Sequence, residues 1–477
     1  MVGGLALQSL SSTFSRLNFL LKPPLPYTSR IIRTQLKPQT QKPTSNLLKP
    51  CCFSSYPSNH KISKPQFRTI ASSSRDDIVI LGIETSCDDT AAAVVRSDGK
   101  ILSQVVSSQA DLLEQFGGVS PKDAKEQHSK VIDQVVQRAL DEANLTEVDL
   151  SAVAVTIGPG LSLCLRVGVQ KARRIAGKFS LPIVGVHHME AHALVARVAE
   201  KELQFPFLTL LISGGHNLLV LARDLGHYVQ LGTTIDDAIG EAYDKTARLL
   251  GLDMRRGGPA LEELAREGNP KSVKLKVPMK HHKDCNFSYA GLKTQVRLAI
   301  ESSNIDKDTP ISSTSCKDRS IRADIAASFQ RVAVLHLEER CERAIAWAAE
   351  IEPSIKFLVV SGGVASNQYV RTRLDHVVKR KGLQLVCPPP SLCTDNGVMI
   401  AWTGIEHFCQ GRYDPPPPAD EPEDAVLDLR PRWPLGEEYE EGVSKSRYIR
   451  KARTHASLTS IIQASMQQRD QSHPRKS

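Results

Sequence analysis

Acid is missing from the start of the chain: no Asp or Glu precedes Asp76, yet residues 1–75 hold eleven of its 61 Lys and Arg among many Ser, Thr and Pro. An acid-free, Ser-rich, basic leader with scattered apolar residues has the composition of an organellar transit peptide, the mitochondrion ranking ahead of the plastid; a plain basic tail is the alternative. Removing those eleven cations leaves 50 basic against 52 acidic residues. The pI near 9.0 therefore belongs mostly to the leader, and overall charge is no argument for a nucleic-acid partner. Also missing is any run of about 18 apolar residues, which argues against a membrane span. The ten Cys include no Cys-x-x-Cys, so neither a disulfide framework nor a four-cysteine zinc site has support, and a reducing compartment fits. No Gly-x-x-x-x-Gly-Lys-Ser/Thr occurs, which excludes a P-loop NTPase.

What is present, in 477 residues with room for two or three domains, is a series of apolar runs broken by small polar turns. Residues 78–83 read as a buried strand, Glu84-Thr85-Ser86-Cys87-Asp88-Asp89-Thr90 as a turn, and 91–95 as a second strand. The pattern returns as strand 207–212, turn Ser213-Gly214-Gly215-His216-Asn217 and strand 218–222, and more weakly as 357–360 with Ser361-Gly362-Gly363. Such repetition predicts a duplicated α/β domain holding a ligand in its cleft. Glycine pairs let a backbone come close to a phosphate because no Cβ intrudes.

Between these units lie a helix over 121–143 with His128 on its surface, a strand over 152–157, and the break Gly158-Pro159-Gly160 before a helix over 163–177. A strand, a glycine turn and a helix start together make an anion or backbone-approach site. Further on come a helix over 236–247 with acid at one end, a polar loop over 301–322 and a helix over 322–349. The boundaries that follow are a leader (1–75), an N-terminal lobe (76–205), a C-terminal lobe (206–412) and a Pro-rich, polar, flexible tail (413–477).

His188 and His192, after a short strand over 182–186, sit four residues apart at a helix start and so share one face. That is half a metal site, or a pair of half-buried helix histidines. Glu190 points to the opposite side, so it cannot be the base of a His-Glu-x-x-His zinc peptidase. Asp395, in the polar turn 387–397, is well typed as an oxygen ligand. With both histidines it would make a site of two imidazoles and one carboxylate that leaves positions open.

Seven motifs in this order, within about 78–408, resemble the universal tRNA threonylcarbamoyltransferase family (TsaD and its relatives). They are Gly-Ile-Glu-Thr-Ser-Cys-Asp-Asp-Thr from Gly82, Gly-Pro-Gly-Leu from Gly158, His-Met-Glu-Ala-His from His188, Ser-Gly-Gly-His from Ser213, Asp-Lys-Thr-Ala from Asp244, Ser-Gly-Gly-Val-Ala-Ser-Asn from Ser361 and Cys-Thr-Asp-Asn-Gly from Cys393. With the leader, the chain looks like the organellar member. The resemblance implies the two-lobed α/β fold of actin, the heat-shock chaperone ATPases and the sugar kinases. It implies one divalent ion, zinc or iron, on His188, His192 and Asp395, which would act in catalysis through that ion. It implies threonylcarbamoyl-AMP held by Leu211, Ile212, Ser213, Gly214, Gly215, Asp244, Gly258, Glu262, Ser366, Asn367 and Thr394.

Two departures from the family pattern, Arg256 before Gly257-Gly258-Pro259 and Ala290 in Phe287-Ser288-Tyr289-Ala290-Gly291-Leu292-Lys293, remove no ligand. Leu211 stands where the archaeal branch has a metal-binding Tyr. The implied reaction moves a threonylcarbamoyl group to N6 of adenosine 37 in tRNAs reading ANN codons. The implied partners are a YrdC-like enzyme that makes the donor, tRNA and a second copy of the chain. Basic candidates for tRNA are Lys171 with Arg173 and Arg174, Arg255 with Arg256, 276–283, and Lys293 with Arg297, each equally readable as a solvated face. The rival readings are a metallopeptidase and an actin-type ATPase or nucleotide-binding module.

Overall fold

The computed structural model describes residues 78–109, 120–254, 256–303, 305, 309–422 and 425–442. The leader expected over 1–75 lies outside the described residues, as do Arg255 and everything from 443 onward.

The first half runs β1 (Val79–Glu84), β2 (Thr90–Arg96), β3 (Ile101–Ser107), α1 (Pro121–Ala143), β4 (Ala152–Gly158), α2 (Ser162–Phe179), β5 (Ile183–His187), α3 (His188–Leu194) and α4 (Ala196–Ala199). Its strands form one sheet in the order β3-β2-β1-β4-β5, antiparallel across β3-β2-β1 and parallel across β1-β4-β5. Of these, β1, β2 and β4 are almost unbroken apolar runs because both faces are covered, whereas the edge strand β3 is mixed and partly exposed. Leu81, Ile83, Ala92 and Val94 meet residues of α1 and α2, while the alternating Ile80, Ala93 and Val95 join a cluster on the other face.

The second half runs β6 (Phe207–Ile212), β7 (Asn217–Asp224), β8 (His227–Thr233), α5 (Ile239–Leu249), α6 (Gly257–Ala265), α7 (Ala290–Ser302), α8 (Cys316–Ile351), β9 (Phe357–Ser361), α9 (Gln368–Arg380), β10 (Gln384–Val386), α10 (Pro390–Cys393), α11 (Gly397–Cys409) and β11 (Glu437–Glu438). Its sheet order, β10-β9-β6-β7-β8-β11, repeats the first sheet strand for strand and adds β11 at one edge. The senses repeat too: β6-β7-β8 is antiparallel and β6-β9-β10 parallel. The recurring strand-turn-strand pattern thus belongs to a duplicated α/β fold. The last helix, α11, crosses back to the first sheet, where Val398, Met399, Ala401 and Ile405 pack with Ile80, Ala93 and Val95. That crossing carries Asp395, just before α11, to the first half.

Three expectations need correction. Helix α5 starts at Ile239 and not at 236, because the Asp236 carboxylate is engaged outside it, accepting from Ser288 Oγ at 2.5 Å and Tyr289 N at 2.8 Å. The expected loop over 301–322 is helical from Cys316. There Ser315 Oγ caps Asp318 N at 3.2 Å, and the buried Arg322 guanidinium donates to Leu250 O at 2.8 Å and Thr309 O at 3.0 Å. The expected flexible tail is packed in its described part: Asp414 bridges Ile183, Leu427 and Leu429 meet the first core, and β11 lies parallel to β8. Its polar composition hid a few well-spaced apolar anchors.

Candidate metal centre and ligand pocket

Strand β1 ends on Glu84, which is fully buried. Its carboxylate accepts from Thr156 Oγ1 of β4 at 2.6 Å and from Ser86 N, and its Oε2 lies 3.0 Å from His188 Nδ1. Ser86 Oγ lies 3.2 Å from the same nitrogen. With Nδ1 held from behind, His188 presents Nε2 to Asp395 Oδ1, 3.6 Å away. His192 Nε2 is 3.0 Å from that same oxygen, and the two rings meet edge to face at 4.8 Å. Asp395 is delivered by a fixed turn: Asn396 Oδ1 accepts from Met399 N at 2.9 Å and Nδ2 donates to Thr394 O at 2.7 Å. One ligand atom from each of His188, His192 and Asp395 lies within 4.8 Å of the others.

The electrostatics suit a cation. Burial alone would discharge His188, yet Asp395 and Glu84 lift it to about 9. Burial likewise opposes an ionised Asp395, but His188 and His192 hold its carboxyl far below the usual range. Nearby, burial and then Asp88 and Asp395 push Asp89 up to about 7. Two buried carboxylates thus flank His188, and a divalent ion on His188, His192 and Asp395 would supply the positive charge that they favour. A carboxylate behind a ligating imidazole is the usual support of such a site.

Beside this cluster, Gly214, Asp244, Gly258, Glu262, Ser366 and Asn367 line one pocket of about 190 Å³ together with Gly240 and Tyr243. A Cβ on Gly214, Gly215 or Gly258 would meet nothing within 4 Å, so these glycines leave open space rather than fill a tight contact. Thr394 borders the same region: a Cβ on Gly363 would lie 4.0 Å from its methyl group. The other named residues are engaged differently. Leu211 and Ile212 are fully buried in the strand core and can offer only backbone, and Ser213 Oγ accepts from its own turn at Gly215 N (3.3 Å) and His216 N (3.1 Å). Asn367 caps α9 at Val370 N (3.0 Å), and Glu262 accepts from Gln368 N (3.0 Å).

The family model described as TsaD, tRNA N6-adenosine threonylcarbamoyltransferase, matches residues 100–402. A protein of Arabidopsis thaliana named probable tRNA N6-adenosine threonylcarbamoyltransferase, mitochondrial, is 76% identical over 398 residues, 83% of either chain. This chain belongs to the TsaD family. The mitochondrial protein of that name from Xenopus tropicalis is 45% identical over 70% of this chain and 83% of its own. A protein of Novosphingobium aromaticivorans named tRNA N6-adenosine threonylcarbamoyltransferase is 42% identical over 75% of this chain and 96% of its own.

Some of the basic candidates in this TsaD chain are already paired within the fold. Lys171 meets Asp133 at 2.8 Å, and Arg173 clasps Glu421 through two bonds of 2.7 and 2.5 Å. Arg256 meets Glu263 at 3.0 Å, whereas Lys280 to Lys283 are exposed. Lys293 and Arg297 face Lys245 and Arg248 across a groove of about 260 Å³ between α5 and α7, with Lys293 and Lys245 also touching Asp237. Sequence reasoning missed three supporting residues. Glu84 and Ser86 lay in a turn read only as polar. His128, read as a surface residue, is fully buried and holds that turn through Thr90 Oγ1 (2.7 Å) and Cys87 O (3.1 Å). The acid run directly after an apolar strand was the available signal.

Proposed function

We propose that this chain transfers the threonylcarbamoyl group of threonylcarbamoyl-AMP to N6 of adenosine 37 in tRNAs reading ANN codons, forming t6A in an organelle, at a metal centre on His188, His192 and Asp395. The observation that carries this reading is the meeting of His192 and Asp395, 203 residues apart in the chain, on one point with His188. When bound, a divalent ion supplies Lewis acidity to the carbonyl under attack, a contribution of several kcal/mol. Zinc and iron both suit two imidazoles and a carboxylate.

The protein's own groups do the rest. Glu84 and Ser86 hold His188 in the orientation that points Nε2 inward. Gly214 and Gly258 leave room for the adenylate to lie against backbone, and Asp244 is placed to take ribose hydroxyls. The tRNA covers the mouth of the pocket, with its phosphates on exposed cations such as Arg248 and Arg297. The mitochondrial names of the Arabidopsis and Xenopus relatives support the mitochondrion as the compartment. Supply of the donor by a YrdC-like enzyme and work as a homodimer rest on family resemblance alone. The division into a leader (1–75), two lobes (76–205 and 206–412) and a tail (413–477) rests on the composition and pattern of the sequence.

Glu190 does not supply the base that the peptidase alternative needs. Glu190 is buried and accepts from Tyr228 Oη at 2.8 Å and Gly226 N at 3.1 Å, with His407 Nε2 at 3.0 Å. Among the described residues, no helix is long and apolar enough to cross a membrane.

The test combines purified protein with a YrdC-like enzyme, threonine, bicarbonate, ATP and an ANN-decoding tRNA. The wild type yields t6A and retains about one equivalent of metal. A His188→Ala, His192→Ala variant loses both. Undiminished t6A formation by that folded variant would overturn the metal-centre mechanism.

A further inference from the structure

We propose that residues 427–438 form a brace that sets the orientation of the metal-binding helix α3, with Trp433 as a positioning residue acting through His187. The proposal rests on the metal-centre reading of His188, His192 and Asp395. The brace itself lies beyond the stretch 100–402 that the family model matches.

Helix α3 is only seven residues long, too short to be stable by itself, and its first amides need acceptors. His187 provides one. Its Nδ1 accepts from Met189 N at 3.1 Å and Glu190 N at 3.3 Å. Because Nδ1 is an acceptor, the ring hydrogen sits on Nε2, which donates to the Trp433 carbonyl at 3.0 Å. The Trp433 indole also packs on the imidazole, centroids 4.5 Å apart, and carries the Arg430 guanidinium on its ring at 4.5 Å. The residue that caps the metal helix is therefore itself held by the C-terminal segment.

That segment is anchored on both sides of Trp433. Upstream, Arg430 N donates to Ile157 O at 2.7 Å and Gly160 N to Pro431 O at 3.2 Å. The Arg430 carbonyl passes so close over Gly158, whose φ is +156°, that any Cβ there would overlap it. The Gly158-Pro159-Gly160 turn, read from sequence as an anion or backbone-approach site, is thus approached by the chain's own backbone. Downstream, Leu435 is buried in one cluster with Met189, Ala193 and Leu194 of α3. Next, β11 joins β8, and Tyr439 N donates to Gln230 O at 3.0 Å. Three contacts, a hydrogen bond to the cap, a ring against the cap and an apolar side chain against the helix, fix α3 from the same strap.

The test reads amide exchange and zinc affinity in the full chain. In Trp433→Ala, the Met189 and Glu190 amides should exchange about tenfold faster while those of β1 and β6 keep their protection. The dissociation constant for zinc, titrated alone against a competing chelator, should rise about tenfold or more. Trp433→Phe keeps a ring and should recover most of both. Should Trp433→Ala fail to fold, Arg430→Ala, which removes the half-exposed guanidinium from the indole and from Asp428, should move both readouts in the same direction by about two- to threefold, while Asp428→Asn should move neither. Unchanged exchange at Met189 and Glu190 with unchanged zinc affinity in a folded variant overturns the brace alone. A wild-type chain that binds neither zinc nor ferrous iron removes the metal-centre reading and the proposal with it.

Discussion

At equivalent places in the two sheets, after β1 and after β6, the chain makes turns of opposite character. The β1 turn holds Glu84, Asp88 and Asp89, and its backbone is packed so tightly that a Cβ on Gly160 would crowd Ser86 O at 2.6 Å. The β6 turn holds Gly214 and Gly215, both exposed, with open space where their side chains would be. Duplication placed a turn at the same point of each sheet. Acid and close packing made one of them the wall behind the His188–His192–Asp395 cluster, and bare backbone made the other a turn with open space beside it.

The contrast is broken most severely by adding one methyl group to each half. Gly82→Ala would drive a Cβ into backbone atoms of Gly397 and Ala401 on α11, atoms that cannot rotate away. It should lower unfolding free energy by about 3 kcal/mol in urea melts. Gly214→Ala should leave stability within about 0.5 kcal/mol and instead weaken AMP binding. Equal stability losses in the two variants would count against an open ligand-facing turn.

Two buried histidines extend the comparison to charge. Burial, Arg340 and Arg343 hold His336, in the second half, down at about 3, whereas the carboxylates around His188 reverse the same effect of burial. As pH falls below about 6.5, the unfolded chain takes up a proton at His336 that the folded chain refuses. Stability present at pH 7 is therefore lost toward pH 3, by about 1.4 kcal/mol per pH unit over the middle of that window. His336→Gln, which keeps an acceptor for Ser288 N, should flatten the limb between pH 6 and about 4.5 in denaturant melts. A parallel limb in the variant would assign the acid sensitivity elsewhere.

Glu84→Gln sharpens the role of the β1 turn. It keeps the shape and removes the charge behind His188, so metal affinity should fall about tenfold, equivalent to about 1.4 kcal/mol, with little change in AMP binding. The smallest effect concerns the rim. Substituting Arg248 and Arg297 together with Gln should reduce the slope of log Kd for tRNA against log salt by about 1 to 2. An unchanged slope would clear the groove between α5 and α7 of any phosphate contact.

Legibility followed physical range. Strand β6 was read to the residue because an apolar run between polar turns carries its own ends. The His188–His192 spacing was legible because a helix fixes i, i+4 neighbours locally. His128 was misread because its partners, Thr90 and Cys87, lie about 40 residues away, and an isolated His on a polar helix looks solvated. The segment 413–442 was misread because its few anchors, Leu427, Leu429 and Leu435, are diluted by charge. Their burial depends on surfaces supplied by other parts of the chain.

By itself, the amino-acid order determined the alternation that makes the strands, the doubled strand-turn-strand unit, and the face shared by the two histidines. These are set by repulsion, pleat and pitch over a few residues. Only the tertiary structure decided that α11 returns to the first sheet with Asp395, that Glu84 backs His188, and that the C-terminal strap meets His187. Each of those joins groups tens to hundreds of residues apart, and no local pattern encodes a distance that packing alone closes.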